Sequence, residues 1–284
     1  MLKTEFLSKN WLCANENYEE SNLVLVGIPY DGTCSFAPGT RFGSEQIRLA
    51  SRGLEEYSAF LDKSLEDVSF YDAGELDLPF GNRDKVLNII KNCTKEILED
   101  NKVYFGIGGE HLVTLPAIEA YFERYPNLKL IHFDAHADLR EEYLGEKLSH
   151  ATVIRRIADI IGIDNIIQVG LRSGTKEEFD LIKKHNTLAK NIEDFASKIA
   201  KFADFPIFLT IDLDVLDPSI MSGTGTQEAG GLSYKEFLEY FETLKSLNIV
   251  GCDVVELAPN NDVSGASTIT AAKIIRELIL SLIG

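Results

Sequence analysis

Two histidines and four aspartates fall in three short motifs: Gly108-Gly109-Glu110-His111, Asp134-Ala135-His136-Ala137-Asp138 and Asp212-Leu213-Asp214. Four carboxylates cannot share a small volume unless cations neutralise them or protons do. Two divalent cations would balance four aspartates. Mixed histidine and carboxylate donors suit Mn²⁺, Zn²⁺, Fe²⁺ or Co²⁺ better than Ca²⁺ or Mg²⁺. Two metals bridged by carboxylates lower the pKa of a shared water and aim the hydroxide at a planar carbon. The chemistry these residues suggest is metal-assisted hydrolysis without a covalent enzyme intermediate.

Such ligands need rigid elements beneath them. Strand side chains alternate between faces, so Asp134, His136 and Asp138 share one if the extended path continues. Asp212 and Asp214 form a second such pair. The intervening Ala135, Ala137 and Leu213 point the other way and are small or apolar. Apolar, β-rich runs occupy 23–28, 68–71, 103–107, 128–133, 166–169, 206–211 and 249–255. Helix-like stretches lie between or after them, including 85–99, 115–125, 234–247 and 269–282. Ser233 with Glu236 reads as an N-cap and capping box. Near-continuous apolar strands alternating with helices predict an α/β fold, a three-layer α/β/α arrangement around a mostly parallel sheet. In such sheets, ligands collect beyond the C-terminal ends of the strands, and all three motifs sit there. The chain shows no linker, repeat or low-complexity tract, so 1–284 is expected to be one domain.

The 284 residues are 45% hydrophobic and carry a net charge of -17. That balance argues against nucleic-acid binding and is compatible with a cationic substrate. Cys13, Cys34, Cys93 and Cys252 form no C-x-x-C pair and are expected to be reduced and mostly buried. No apolar run approaches a membrane span, and Met1-Leu2-Lys3-Thr4-Glu5 opens no signal peptide. The expectation is a soluble, cytoplasmic protein without a membrane or nucleic-acid partner.

The motifs resemble G-G-D-H, D-A-H-x-D and D-x-D of the arginase/agmatinase superfamily, the ureohydrolases. The resemblance extends to Gly27-Ile28-Pro29-Tyr30-Asp31 and Pro38-Gly39-Thr40-Arg41-Phe42-Gly43. It continues through Asp214-Val215-Leu216-Asp217-Pro218, Gly223-Thr224-Gly225-Thr226 and Val254-Val255-Glu256-Leu257-Ala258-Pro259. Asp138-Leu139-Arg140 and Leu148-Ser149-His150 are most similar to bacterial agmatinases. The resemblance implies an arginase-like fold and two Mn²⁺ per subunit. It implies that His111 and Asp138 bind one metal, that His136 and Asp214 bind the other, and that Asp134 and Asp212 bridge them. It makes His150 a proton-shuttling residue near the substrate and Glu256 the carboxylate that holds a guanidinium by paired hydrogen bonds. Asp138 also orients the attacking hydroxide. A homo-oligomer, trimer or hexamer, is implied as well.

Four positions depart from the family pattern: Glu110 in place of Asp, Ala151 in place of Gly, and Gln227 and Ala229 in place of prolines. None removes a ligand. Three further residues have blander roles. His132 is expected to be a packed, hydrogen-bonded histidine, His185 a solvated one, and Asp217 a turn former before Pro218.

The implied reaction is hydrolysis of agmatine to putrescine and urea, a step of polyamine biosynthesis. The metal-bridging hydroxide attacks the guanidinium carbon. The stretch Leu139-Arg140-Glu141-Glu142-Tyr143-Leu144 lacks the row of neutral hydrogen-bonders with which arginases hold a carboxylate. Glu141 and Glu142 favour an amine there if either faces the site, whereas Arg140 points the other way. Guanidinobutyrate, arginine and formiminoglutamate remain alternatives, as does, more remotely, a non-catalytic metal-binding protein of the same fold.

Overall fold

The computed structural model describes residues 10–283, so the Met1–Glu5 stretch lies outside the described residues. The strands are β1 (Leu23–Gly27), β2 (Tyr57–Ser58), β3 (Lys63–Ser64), β4 (Phe70–Glu75), β5 (Val103–Ile107), β6 (Lys129–Phe133), β7 (Ile166–Val169), β8 (Leu188–Ala189), β9 (Ile207–Asp212) and β10 (Ile249–Val255). The α-helices are α1 (Gly43–Ser51), α2 (Arg83–Glu99), α3 (Thr114–Arg124), α4 (Val153–Ile161), α5 (Lys176–His185), α6 (Ile192–Ile199), α7 (Tyr234–Leu244) and α8 (Ala266–Ile283).

Apart from the small hairpin β2–β3, the strands form one eight-stranded sheet in the order β4-β1-β5-β10-β9-β6-β7-β8. Every pairing in it is parallel. Period-two alternation splits the strand residues between two cores. Phe105, Ile107, Ile131, Phe133, Leu209, Ile211 and Val254 face α1, α6, α7 and α8. Val24, Val26, Tyr104, Leu130, Phe208 and Val255 face α2, α3 and α4. This is the three-layer α/β/α arrangement expected, with both faces of a parallel sheet covered.

Three strands, 103–107, 166–169 and 249–255, keep their expected bounds. The run expected over 68–71 instead begins at Phe70 and continues to Glu75. Its polar half, Asp72-Ala73-Gly74-Glu75, hides a strand whose carboxylates are taken by Arg48. The two-residue β8 is too short to show alternation. The Ser233–Glu236 capping box is present, with Glu236 N donating to Ser233 Oγ at 3.2 Å and Ser233 N to Glu236 Oε2 at 2.8 Å.

Directly under the site, Phe133 makes edge-on contacts with Phe195, Phe237 and Tyr240 at ring-centre separations of 5.9 to 6.1 Å. Truncating such a buried aromatic to Ala costs about 3–5 kcal/mol. The residue that follows it, Asp134, is therefore carried by one of the best-packed points of the core. All four cysteines are free, but only Cys252 is buried. Cys34 and Cys93 are half-buried and Cys13 is exposed, contrary to the expectation that most are buried. No described helix is long and apolar enough to cross a membrane.

Candidate active site

Four neighbouring strands, β5, β10, β9 and β6, deliver the motif residues. Register pairs Phe133 with Ile211, Ile211 with Val254 and Val254 with Ile107. The next residues along these strands are Asp134, Asp212, Val255 and Gly108, so the acidic groups emerge side by side at one sheet edge. Gly108 and Gly109 turn β5 toward the site at φ 75° and 79°. A Cβ on Gly109 would lie 2.6 Å from Ile28 O, so only glycine fits. The turn ends in a short 3₁₀ segment, His111–Val113.

The extended path expected through 134–138 does not continue. The strand stops at Phe133, and Asp138 has φ 53°. Asp212 is the last residue of β9, and Asp214 sits in a 3₁₀ turn, Leu213–Val215. The six candidate ligands nonetheless converge. His111 Nδ1 lies 3.1 Å from Asp134 Oδ2, 3.4 Å from Asp138 Oδ2 and 3.5 Å from Asp212 Oδ2. His136 Nδ1 lies 2.9 Å from Asp214 Oδ2 and 3.5 Å from Asp134 Oδ1. Ligand atoms of Asp134, His136 and Asp214 lie within 4.8 Å of one another, as do those of His111, His132 and Asp134. Asp134 is common to both groups. Ala135, Ala137 and Leu213 are buried.

Hydrogen bonds fix most of these side chains. Asp134 Oδ1 accepts from His136 N at 2.5 Å, Asp212 Oδ1 from Asp214 N at 2.9 Å, and Asp214 Oδ1 from Ala135 N at 3.0 Å. Arg172 donates to the carbonyls of Asp214 and Glu228, tying the Asp214 turn to the loop that carries Gln227 and Ala229. His132 is fully buried, with Nε2 2.8 Å from Asp134 Oδ2 and Nδ1 3.1 Å from Gln168 Nε2. The Gln168 amide also donates to Ala137 O. His132 Nδ1 therefore accepts, and its Nε2–H donates to Asp134. His132 is packed and hydrogen-bonded as expected, and it orients a carboxylate rather than offering a lone pair.

The cluster strains to hold its charge. Burial pushes the Asp138 carboxyl up to about 7, aided by nearby Asp134. Burial and the charges of Asp214 and Asp134 raise Asp212 well above the usual carboxylate range. Burial lowers His136, but Asp134 and Asp214 outweigh it and carry the ring up to about 12. His111 Nε2 lies 3.0 Å from Thr210 Oγ1, whereas its Nδ1 has no hydrogen-bond partner and faces three carboxylates. If Nε2 carries the proton, a lone pair and three anions converge on one point, which is the donor set of a cation. The residues present fit a divalent metal.

Beside the cluster an open cleft of ≈ 200 Å³ is lined by Asp138, Asp212, His150, Glu256, Arg140 and Tyr143, among others. Glu256 has φ 70° and is buried. Its Oε1 accepts from His111 N at 2.7 Å, leaving Oε2 as the freer oxygen. His150 stacks edge-on against Tyr143, with ring centres 5.8 Å apart. Burial pulls its pKa down to about 4, so the ring is neutral at neutral pH.

Similarity to known proteins runs along the same residues. The family model described as Arginase family matches residues 21–281. The agmatinase of Bacillus subtilis (strain 168) is 44% identical over 283 residues, covering 98% of each chain. The chain belongs to the arginase family. A Clostridium difficile crystal structure superposes with a TM-score of 0.90 at 51% identity, covering 94% of this chain and 98% of that one. The agmatine ureohydrolase of Thermoplasma volcanium superposes with a TM-score of 0.87 at 28% identity, covering 98% and 95%. As a member of this metal-dependent family, the chain is an amidinohydrolase, a hydrolase of C–N bonds in linear amidines.

The residues the sequence singled out divide as follows. Glu141 pairs with Arg155 and Arg156 and does not line the cleft, nor does Glu142. The condition under which they would favour an amine is therefore not met. Arg140 does line it, 3.8 Å from Glu178 and over the Tyr143 ring at 4.9 Å. His185 is half-buried rather than solvated and pairs with Asp164 at 2.8 Å, at the far end of α5. Asp217 accepts from the N–H groups of Ser219, Gly230 and Gly231, confirming a turn former. Thr33, Ser35, Tyr143 and Glu178 had no individual sequence signal. Only the motif-like stretch after β1 pointed toward the first two.

Proposed function

We propose that this chain hydrolyses agmatine to putrescine and urea at a centre of two Mn²⁺ ions, within a single domain, as a step of polyamine biosynthesis. The observation that carries the metal reading is the position of His111 Nδ1, buried without a hydrogen bond and facing Asp134, Asp138 and Asp212. His111 and Asp138 would hold one ion and His136 and Asp214 the other, with Asp134 and Asp212 completing both sites. When bound, the ions supply a nucleophile from water at neutral pH and stabilise the charge that develops.

The chain's own groups do the rest. Glu256 binds the guanidinium, and its backbone anchor to His111 N sets the substrate against the cluster. Asp138 orients the attacking oxygen. His150, neutral at neutral pH, takes a proton at Nε2 and passes it to the leaving amine. The substrate choice rests on the agmatinase relatives and on the net charge of -17, which attracts a dication. Free cysteines support a reducing, cytoplasmic setting. A trimer or hexamer belongs to the same reading, supported by the exposed Phe36, Phe42 and Val263.

Arg140 favours a second reading. A guanidinium in the cleft is an anchor for a carboxylate, as guanidinobutyrate would present. Urea release with added Mn²⁺ from agmatine, guanidinobutyrate and arginine decides between them. Agmatine should give the highest kcat/KM, and a higher value for guanidinobutyrate would transfer the assignment.

A further inference from the structure

Glu110 is fully buried and reaches away from the metal ligands, into the loop that follows β1. Its backbone N donates to Tyr30 O at 2.8 Å. Its side chain accepts from Thr33 N at 2.7 Å through Oε2 and from Thr33 Oγ1 at 2.5 Å through Oε1. One residue thus clamps the loop at Tyr30 and again at Thr33. Thr33 Oγ1 in turn accepts from His150 N at 3.0 Å and lies 3.4 Å from His150 Nδ1. Ser35 Oγ, in the same loop, lies 3.2 Å from His150 Nε2.

A threonine hydroxyl has one proton and two acceptor sites. Here the proton goes to Glu110 Oε1. Both remaining sites then face His150, one toward its backbone N–H and one toward Nδ1. Two lone pairs cannot bond to each other, so Nδ1 must carry the hydrogen. The neutral ring then keeps its lone pair at Nε2, beside Ser35, which lines the cleft. A ring with Nε2–H would face the substrate with no lone pair to receive a proton.

We infer that Glu110 is a positioning residue: through Thr33 it holds His150 in the Nδ1–H tautomer and fixes the ring over the cleft. This rests on the proton-shuttle reading of His150 given above. It also gives Glu110 a reach that aspartate lacks. The extra carbon–carbon bond, about 1.5 Å, is what brings the carboxylate to Thr33.

Glu110→Gln separates the alternatives with little change in shape. The Thr33 N–H requires an acceptor, so the amide oxygen stays on that side. The amide NH₂ then donates to Thr33 Oγ1, and the hydroxyl proton turns toward His150 Nδ1. The tautomer should invert. Side-chain ¹⁵N spectra of the full chain, without metal and with diamagnetic Zn²⁺, read this directly, the His150 signals being assigned by their loss in His150→Asn. Wild type and Thr33→Ser should show a protonated Nδ1. Glu110→Gln should show a protonated Nε2, and Thr33→Val a mixture. In Glu110→Gln, kcat for agmatine should fall about tenfold or more, with KM within about twofold.

A protonated Nε2 in wild type, or an unchanged tautomer and kcat in Glu110→Gln, would overturn the relay. If Glu110→Gln fails to fold, the Thr33→Val and Thr33→Ser pair decides by the same spectra. A wild type that releases no urea from agmatine would instead sink the reading of the reaction, and the spectra would still decide the tautomer.

Discussion

His111 Nδ1 sits 3.1 Å from Asp134 Oδ2 and forms no hydrogen bond, although both groups are buried. A buried ring nitrogen this close to three carboxylates calls for a cation between them, a proton in the metal-free protein or a metal ion in its place. Metal should therefore bind the folded state far better than the unfolded one. At Mn²⁺ 100-fold above its dissociation constant, linkage adds about 2.7 kcal/mol of stability. Calorimetry should show Tm rising with Mn²⁺ and falling back with a chelator. Asp134→Asn should abolish most of the shift, and an Asp134→Asn protein as responsive as wild type would remove Asp134 from the site.

Asp253 makes a pH-dependent contribution of the opposite kind. It is fully buried on β10, and neither carboxylate oxygen makes a hydrogen bond, although the Thr210 and Thr114 hydroxyls lie nearby and favour its charged form. Burial nevertheless raises its pKa from 3.8 to about 6. The native state therefore keeps a proton that the unfolded state has already lost. Stability is lost as pH rises from about 4 to about 6, by at most on the order of 3 kcal/mol. Asp253→Asn removes that loss. Urea unfolding of metal-free protein should show the variant gaining on wild type between pH 4 and pH 6, with no further gain above. A gain that shrinks with rising pH would contradict the sign.

Gly170, just after β7, supports the Asp134 end of the sheet. It has φ 90°, and a Cβ there would lie 2.5 Å from Val215 Cγ2 and 3.0 Å from Asp134 O. Gly170→Ala should cost about 1–3 kcal/mol in backbone strain alone. Because Val215 and Asp134 flank the cluster, its Mn²⁺ affinity should weaken too. Isothermal titration and thermal melts test both, and an unaltered affinity would show that the strain is absorbed elsewhere.

Glu178 links a helix cap to the substrate loop. Its Oε2 accepts from Thr175 N at 2.7 Å, closing the capping box of α5, and its Oε1 accepts from Leu139 N at 2.8 Å. Glu178→Ala should cost about 1 kcal/mol as a lost cap. It should also release the start of the loop 139–148, raising KM for agmatine more than it changes metal affinity. A KM equal to that of wild type would mean that the loop is held by other contacts.

Much of this was legible in the chain because strand ends leave a clear trace. Ile107, Phe133, Ile211 and Val255 close apolar runs, and polar motifs begin at once after them. The convergence of those ends follows from a parallel sheet with β5, β10, β9 and β6 adjacent. What alternation could not supply was the path beyond the strands. Asp138 and Asp214 reach the cluster through a positive φ and a 3₁₀ turn, which depend on tertiary hydrogen bonds. Whether Glu141 or Glu142 faces the substrate was not legible, because spacing says nothing about where a loop side chain points. The Arg155 and Arg156 partners that draw Glu141 away lie on α4, beyond any local pattern. Thr33 and Ser35 meet His150 across more than a hundred residues, a contact that only the fold creates.

The most direct test of the reaction is urea release from agmatine by the full chain with added Mn²⁺, beside Asp134→Asn and Asp212→Asn. The wild type should turn over agmatine and lose that activity to a chelator, and both variants should be inactive. Near-normal turnover by either variant with its metals fully bound, or no urea from agmatine in the wild type, would contradict the account.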